Sequence, residues 1–197
     1  MIETLAKIRT GDHAALLYRT RAEQLSCSIP FVKLGLAANE RCLYIADSNP
    51  VSIVRQALVE AGVDVDDAEK RNALQILTKK ETYLCHGLFE PAEVLSDLDR
   101  WIDHSLQMGF QGFRAAGEMT WALDLPSSFA ALLVYARQLE TRSRRRFVGL
   151  CQFDETQFPN SLIEQIVAIH SKVIKNGVFI KFFPSDQGGL LFDQRRP

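Results

Sequence analysis

The chain has 197 residues, 23 of them basic and 24 acidic for a net charge of -1, and 47% are hydrophobic. That is the size and composition of one folded domain with a real core, and it excludes disordered, collagen-like and coiled-coil chains. Balanced charge gives no general pull toward nucleic acid, and no apolar run nears the roughly 20 residues that span a bilayer.

The start, Met1-Ile2-Glu3-Thr4, lacks the apolar centre of a secretory signal. A cytoplasmic protein is therefore expected. Cys27, Cys42, Cys85 and Cys151 form no CxxC pair, so they read as reduced thiols and no metal site is expected from them.

In chain order, a short helical extension over residues 1–9 precedes the apolar run His13–Tyr18, which reads as a buried strand. Leu25, Ile29, Val32 and Leu36 recur at helical spacing, with Pro30 expected to kink that helix or mark its true start. Cys42–Ala46 is a second strand, and Ser48-Asn49-Pro50 opens a helix striped by Val51, Val54, Leu58 and Ala61 and stopped by Gly62. Leu74–Leu77 is a short strand, followed by an irregular connection through Tyr83-Leu84-Cys85-His86-Gly87. Pro91 opens a helix carrying Val94, Leu98, Trp101 and Ile102, ended by Gly109. Phe113–Gly117 is a strand running into Glu118-Met119-Thr120-Trp121, and Pro126-Ser127-Ser128 begins another helix. Phe147–Cys151 is a strand, residues 161–175 a helix with His170 on its apolar face, and Val178–Phe183 a last strand. Residues 10–185 thus make one domain, and 186–197 a polar tail. The alternation argues an α/β fold with a mostly parallel sheet and helices on both faces.

Open parallel sheets bind ligands at the carboxyl ends of their strands. That rule selects Tyr18 and Arg19, then Asp47, then Glu118, Thr120 and Trp121, and finally Gln152 beyond the Cys151 strand. His13 and Cys42 fall at the opposite ends, where they are expected to approach each other. The first strand-to-helix loop, Tyr18-Arg19-Thr20-Arg21, has no glycine and no Gly-Lys-Ser/Thr, which argues against a phosphate-binding loop.

Several motifs combine here. Gly11-Asp12-His13 leads into a strand ending in Tyr18, and Pro30-Phe31 precedes Gly35-Leu36. Asn39-Glu40-Arg41-Cys42-Leu43-Tyr44 follows, then Gly112-Phe113-Arg114, Gly117-Glu118-Met119-Thr120-Trp121-Ala122-Leu123, and Cys151, Phe153-Asp154 and Phe158-Pro159. Over roughly residues 9–180 this resembles the MEDS domain, a sensory domain of methanogens and methylotrophs found in a dichloromethane-responsive regulator and in sensor kinases. The resemblance implies a three-layer, RecA/KaiC-like fold that has lost its phosphate loop, and a non-catalytic module sensing small hydrocarbon-type molecules. No helix-turn-helix or kinase segment accompanies it, so a separate output partner such as a histidine kinase or a transcription regulator is implied.

The expected ligand contacts are Tyr18, Arg19, Asp47, Glu118, Thr120, Trp121 and Gln152, with Tyr83 on a lid-like loop and His13 as an added candidate. His13 also fits a structural role, paired with Asp12 or a backbone carbonyl. Trp121→Ala is expected to abolish the ligand response while leaving the fold intact. Cys85-His86, even with Cys151 or His170, reads as structural rather than ligating, because adjacent residues seldom face one ion.

Two other readings stand beside the sensor. One is an ATPase in which Arg19, Arg21 and Lys33 hold phosphates and Glu81 or Glu118 polarises water. The other is a protein-interaction module using the Arg142–Arg146 run, which otherwise fits a solvated helix end better than a nucleic-acid grip. A homodimer is compatible with all three.

Overall fold

Strands covered on both faces show continuous burial, and this chain supplies them one after another. A computed structural model describes residues 2–125, 128–141 and 146–182. The Pro126-Ser127 helix start, most of the Arg142–Arg146 run and the tail from residue 183 lie outside the described residues. Seven strands, β1 (His13–Tyr18), β2 (Arg41–Ala46), β3 (Leu74–Thr78), β4 (Phe113–Glu118), β5 (Phe147–Asp154), β6 (Lys172–Lys175) and β7 (Val178–Phe182), form one sheet in the order β3-β2-β4-β5-β1-β6-β7. All neighbours pair parallel except β6 and β7.

Side chains alternate across the pleat into two cores. Ala14, Leu16 and Tyr18 of β1, with Cys42 and Tyr44 of β2, pack under α1 (Ile2–Leu5), α2 (Arg21–Ala37), α3 (Val51–Glu60) and α4 (Val65–Lys70). Ala15, Leu17, Leu43, Ile45, Cys151 and Phe153 pack under α5 (Pro91–Gln107), α6 (Phe129–Thr141) and α7 (Asn160–Ile169). Each fully buried Leu, Val or Phe here contributes about 1.5–3 kcal/mol relative to exposure. The result is a three-layer α/β/α sandwich, as the strand-helix alternation implies.

Four expectations are corrected. Pro30 does not start α2: the helix begins at Arg21 and runs through it to Ala37. The carbonyl that Pro30 cannot serve belongs to Ser26, which is exposed, so water can take the missing bond. Next, β5 extends three residues past Cys151 to Asp154, because Gln152 and Asp154 are polar but buried and hydrogen-bonded. The third concerns α7, which stops at Ile169 and yields β6, so His170 lies just beyond the helix and not on its face. Last, α4 was not anticipated, since its acidic sequence offers only Val65 and Ala68 to the core.

Candidate functional site

The loop after β1 has its own polar partners. Thr20 caps α2, accepting from the Glu23 amide at 3.2 Å, and Glu23 accepts from the Arg19 amide at 2.8 Å. Side chains therefore serve the helix start at which a phosphate loop would present free N–H groups. The other residues of the nucleotide reading are scattered. Lys33 reaches the Ala61 carbonyl at 2.6 Å, Glu81 turns back onto the Thr78 amide and hydroxyl, and exposed Arg19 stands 3.7 Å from Glu155.

At the carboxyl ends of β2, β4 and β5 the polar residues bond one another. Glu118 is completely buried. Its Oε1 accepts from the Tyr44 hydroxyl at 2.9 Å and the Asn49 amide side chain at 2.8 Å. Its Oε2 accepts from the Asp47 and Asn49 backbone amides, each at 3.0 Å, and from the Ser48 hydroxyl at 2.9 Å. The carboxylate thus ties down the β2–α3 loop. Gln24 bridges Asn49 and Gln152 at 2.8 and 3.1 Å. Thr120 donates to Asp47 at 2.5 Å, and Lys79 pairs with Asp47 at 2.8 Å. Burial, with Glu118 adding to it, pushes the Tyr44 hydroxyl well above the ordinary phenol range and keeps it a donor. Burial likewise raises Tyr18, whose oxygen lies buried at the edge of this network. Four of the expected contacts, Asp47, Glu118, Thr120 and Gln152, are therefore brought together, and each is hydrogen-bonded within the protein.

The open space around these ends is superficial: a depression of about 260 Å³ beside Asp47 and Lys79, and one of about 360 Å³ beside Arg19 and Glu155. The apolar cavity lies elsewhere, between the other face of the sheet and α5 and α6. It measures about 30 Å³ and is walled by Tyr83, Trp101, Tyr135, Leu98, Cys151 and His13, among others. That volume holds little more than one water-sized body. Tyr83, in the segment linking β3 to α5, forms its cover, stacking on Trp121 at 5.2 Å and meeting Tyr135 edge-on at 6.2 Å. Burial foremost, then Tyr135, raises the Tyr83 hydroxyl well above its usual range. Trp121 is completely buried in this aromatic group with Phe89. Its truncation would cost about 3–5 kcal/mol, so Trp121→Ala bears on stability as well as on any ligand response.

His13 is also placed differently from expectation. It faces this cavity, whereas Cys42 points into the opposite core, so the two do not meet. Asp12 instead pairs with Lys172 at 2.7 Å and takes the Arg9 amide at 2.7 Å. His13 Nε2 lies 3.1 Å from Cys151 Sγ, its Nδ1 3.4 Å from Glu140, and its ring 4.3 Å from that of His170. Burial opposes the His13 charge, but Cys151 and Glu140 outweigh it and push the imidazole up to about 9. Burial and the neighbouring His13 drive His170 down to about 3. Among the described residues all four cysteines are free, and burial pushes Cys27 up to about 12.

A family described as the methanogen/methylotroph, DcmR sensory domain, MEDS, matches residues 12–171. The chain belongs to the MEDS family. It is also similar to the transcriptional repressor DcmR of Methylorubrum extorquens (strain DSM 6343 / CIP 106787 / DM4), with 26% identity over 166 residues. That match covers 83% of this chain and 60% of the repressor, so the chain spans three-fifths of its relative's length. The fold is similar to that of the KaiC-like protein PH0186 from Pyrococcus horikoshii OT3, with a TM-score of 0.59 at 14% identity, covering 85% of this chain and 72% of that one. This MEDS domain is thus built on a RecA/KaiC-like sheet. Among its described residues, no helix is long and apolar enough to cross a membrane.

Proposed function

We propose that this MEDS domain is a non-catalytic sensor for a small, mainly apolar organic molecule, and that it passes the signal to a regulatory partner in transcription or signal transduction. The supporting observation is the cavity beneath Tyr83. Its walls are mostly aromatic and aliphatic, with a few polar groups from Thr82, Tyr83, Tyr135, His13 and Cys151, of which His13 and Cys151 lie 3.1 Å apart. That is the composition of small-molecule sites. About 30 Å³ holds no organic ligand unless a wall moves, and displacement of Tyr83 opens the space. Binding therefore moves the β3–α5 segment and shifts an equilibrium between covered and uncovered states. The Glu118 network holds the sheet ends rigid on the opposite face while this happens.

The test is thermal unfolding of the full chain with a panel of small apolar and halogenated organics, beside MgATP. A ligand specific for the folded state, at a hundred times its Kd, adds about 2.7 kcal/mol. Stabilisation by members of the organic panel and not by MgATP is the expected result. Stabilisation by MgATP alone would overturn the reading in favour of a nucleotide site.

A further inference from the structure

Three elements distant in sequence bring a soft-ligand cluster into the core on the β5 side of this cavity. His13 opens β1, Cys151 lies in β5 two residues beyond Gly149, the register partner of His13, and His170 follows α7. One ligand atom from each, an imidazole nitrogen or the thiol sulfur, lies within 4.8 Å of the others, and all three residues are buried. Gly149 makes room for this: a Cβ there would stand 3.0 Å from His13 Cδ2 and 2.9 Å from the Phe147 ring.

The outer contacts are arranged as for metal-binding histidines. His170 Nδ1 lies 2.8 Å from the Ile166 carbonyl and donates to it, which leaves Nε2 as a bare acceptor, fully buried and without a hydrogen-bond partner. His13 Nδ1 faces the Glu140 carboxylate at 3.4 Å, and Glu140 in turn accepts from the Ser171 amide at 3.1 Å. A carbonyl behind one imidazole and a carboxylate behind the other hold the two Nδ1 atoms, which leaves His13 Nε2, on Cys151, and the unpartnered Nε2 of His170 as the nitrogens to ligate. An unserved buried acceptor costs on the order of 1–3 kcal/mol in a purely structural arrangement.

We propose that His13 Nε2, His170 Nε2 and Cys151 Sγ form a binding site for a transition-metal ion of the zinc class. Two imidazoles and a thiolate suit such an ion and not magnesium or calcium. With bonds of about 2.0–2.1 Å to nitrogen and 2.3 Å to sulfur, tetrahedral donors stand about 3.3–3.6 Å apart; His13 Nε2 and Cys151 Sγ, at 3.1 Å, are already near that spacing, and His170 lies within 4.8 Å of both. Three protein ligands leave a fourth position. His13 and Cys151 line the cavity, so that position opens toward the space under Tyr83. Its use by an incoming organic molecule rests on the sensing reading; the metal site itself does not.

The experiment uses the full chain, reduced, treated with chelator and then freed of it. Titration with Co2+ is followed by absorbance, and Zn2+ is added as competitor. The expected result is one equivalent of Co2+ with a thiolate-to-cobalt charge-transfer band, bleached by Zn2+. Cys151→Ser should abolish the band, and His170→Gln should weaken cobalt affinity at least ~10-fold, the least seen for supporting residues alone. Far-UV circular dichroism verifies that each variant is folded, and His170→Gln carries the test if Cys151→Ser does not fold. Cys85→Ser addresses the exposed cluster of Cys85, His86 and Asp97, and should leave the band unchanged. Absence of a stoichiometric band, its survival in Cys151→Ser, or its loss in Cys85→Ser would overturn the proposal. None of these outcomes depends on whether an organic ligand binds.

Discussion

The hydroxyl of Tyr83 rests directly on the bare backbone of Gly117: a Cβ at that position would stand 2.0 Å from the oxygen. One missing methyl on β4 thus lets the cover of the cavity close. Gly117→Ala is expected to expel Tyr83 and cost about 1–3 kcal/mol, the usual penalty for overpacking, measured by urea unfolding. The segment linking β3 to α5 should also become more sensitive to proteolysis. Unchanged stability and protease resistance would contradict the docking described.

Glu118→Gln separates a structural from a catalytic carboxylate. Glu118 takes five protein donors, and glutamine would replace one acceptor oxygen with a competing donor. A loss of about 3 kcal/mol or more is expected, because buried donors are left unserved beside a lost charge. Equilibrium denaturation measures it. A variant as stable as the parent would instead suit a carboxylate held free for chemistry.

Asp12 and Lys172 pair across the start of β1 and β6 while almost fully buried. Lys172→Met alone is expected to cost about 3–5 kcal/mol, since it strands a buried carboxylate. Adding Asp12→Asn should recover part of that loss in the same denaturation assay. Additive losses in the double variant would show that the two side chains do not act as a pair.

Val94 projects from α5 into the cavity. Val94→Ile adds one methylene to that space and is expected to stabilise the ligand-free protein by about 0.5–1 kcal/mol. The same change should reduce the stabilisation produced by the organic panel. Thermal unfolding with and without the panel reads both effects, and an unaltered ligand response would place the ligand outside the cavity.

Much of the sheet was legible because strands buried on both faces appear as short apolar runs between helical patterns. His13–Tyr18 shows this for the first strand and Cys42–Ala46 for the second. What failed was local. Lys172–Lys175 is a four-residue strand whose Val173 continues the helical spacing of Ile163 and Ile166, so periodicity absorbed it into α7. Gln152 reads as a loop residue because nothing local reveals that Gln24 will bond it, and Asp154, which accepts from the Thr156 amide two residues on, carries the local signature of a turn although it ends a strand. Glu118, Asp47 and Gln152 could be placed at the strand ends, but whether they faced a ligand or one another depends on donors from Tyr44, Ser48 and Asn49. The His13, Cys151 and His170 cluster was out of reach for a related reason. Its members are far apart in sequence, and only the sheet register and the early end of α7 bring them together.

The central claim, that a small organic molecule enters beneath Tyr83, has a built-in reporter. The chain holds two tryptophans; Trp101 lines the cavity and Trp121 stacks on Tyr83. The most direct measurement is tryptophan emission during titration of the full chain with a halogenated organic that raises its melting temperature. A saturable change in emission, with a midpoint matching the thermal stabilisation, is expected. Emission that stays constant, or declines linearly without saturating while the protein is stabilised, would place the ligand elsewhere and contradict the account.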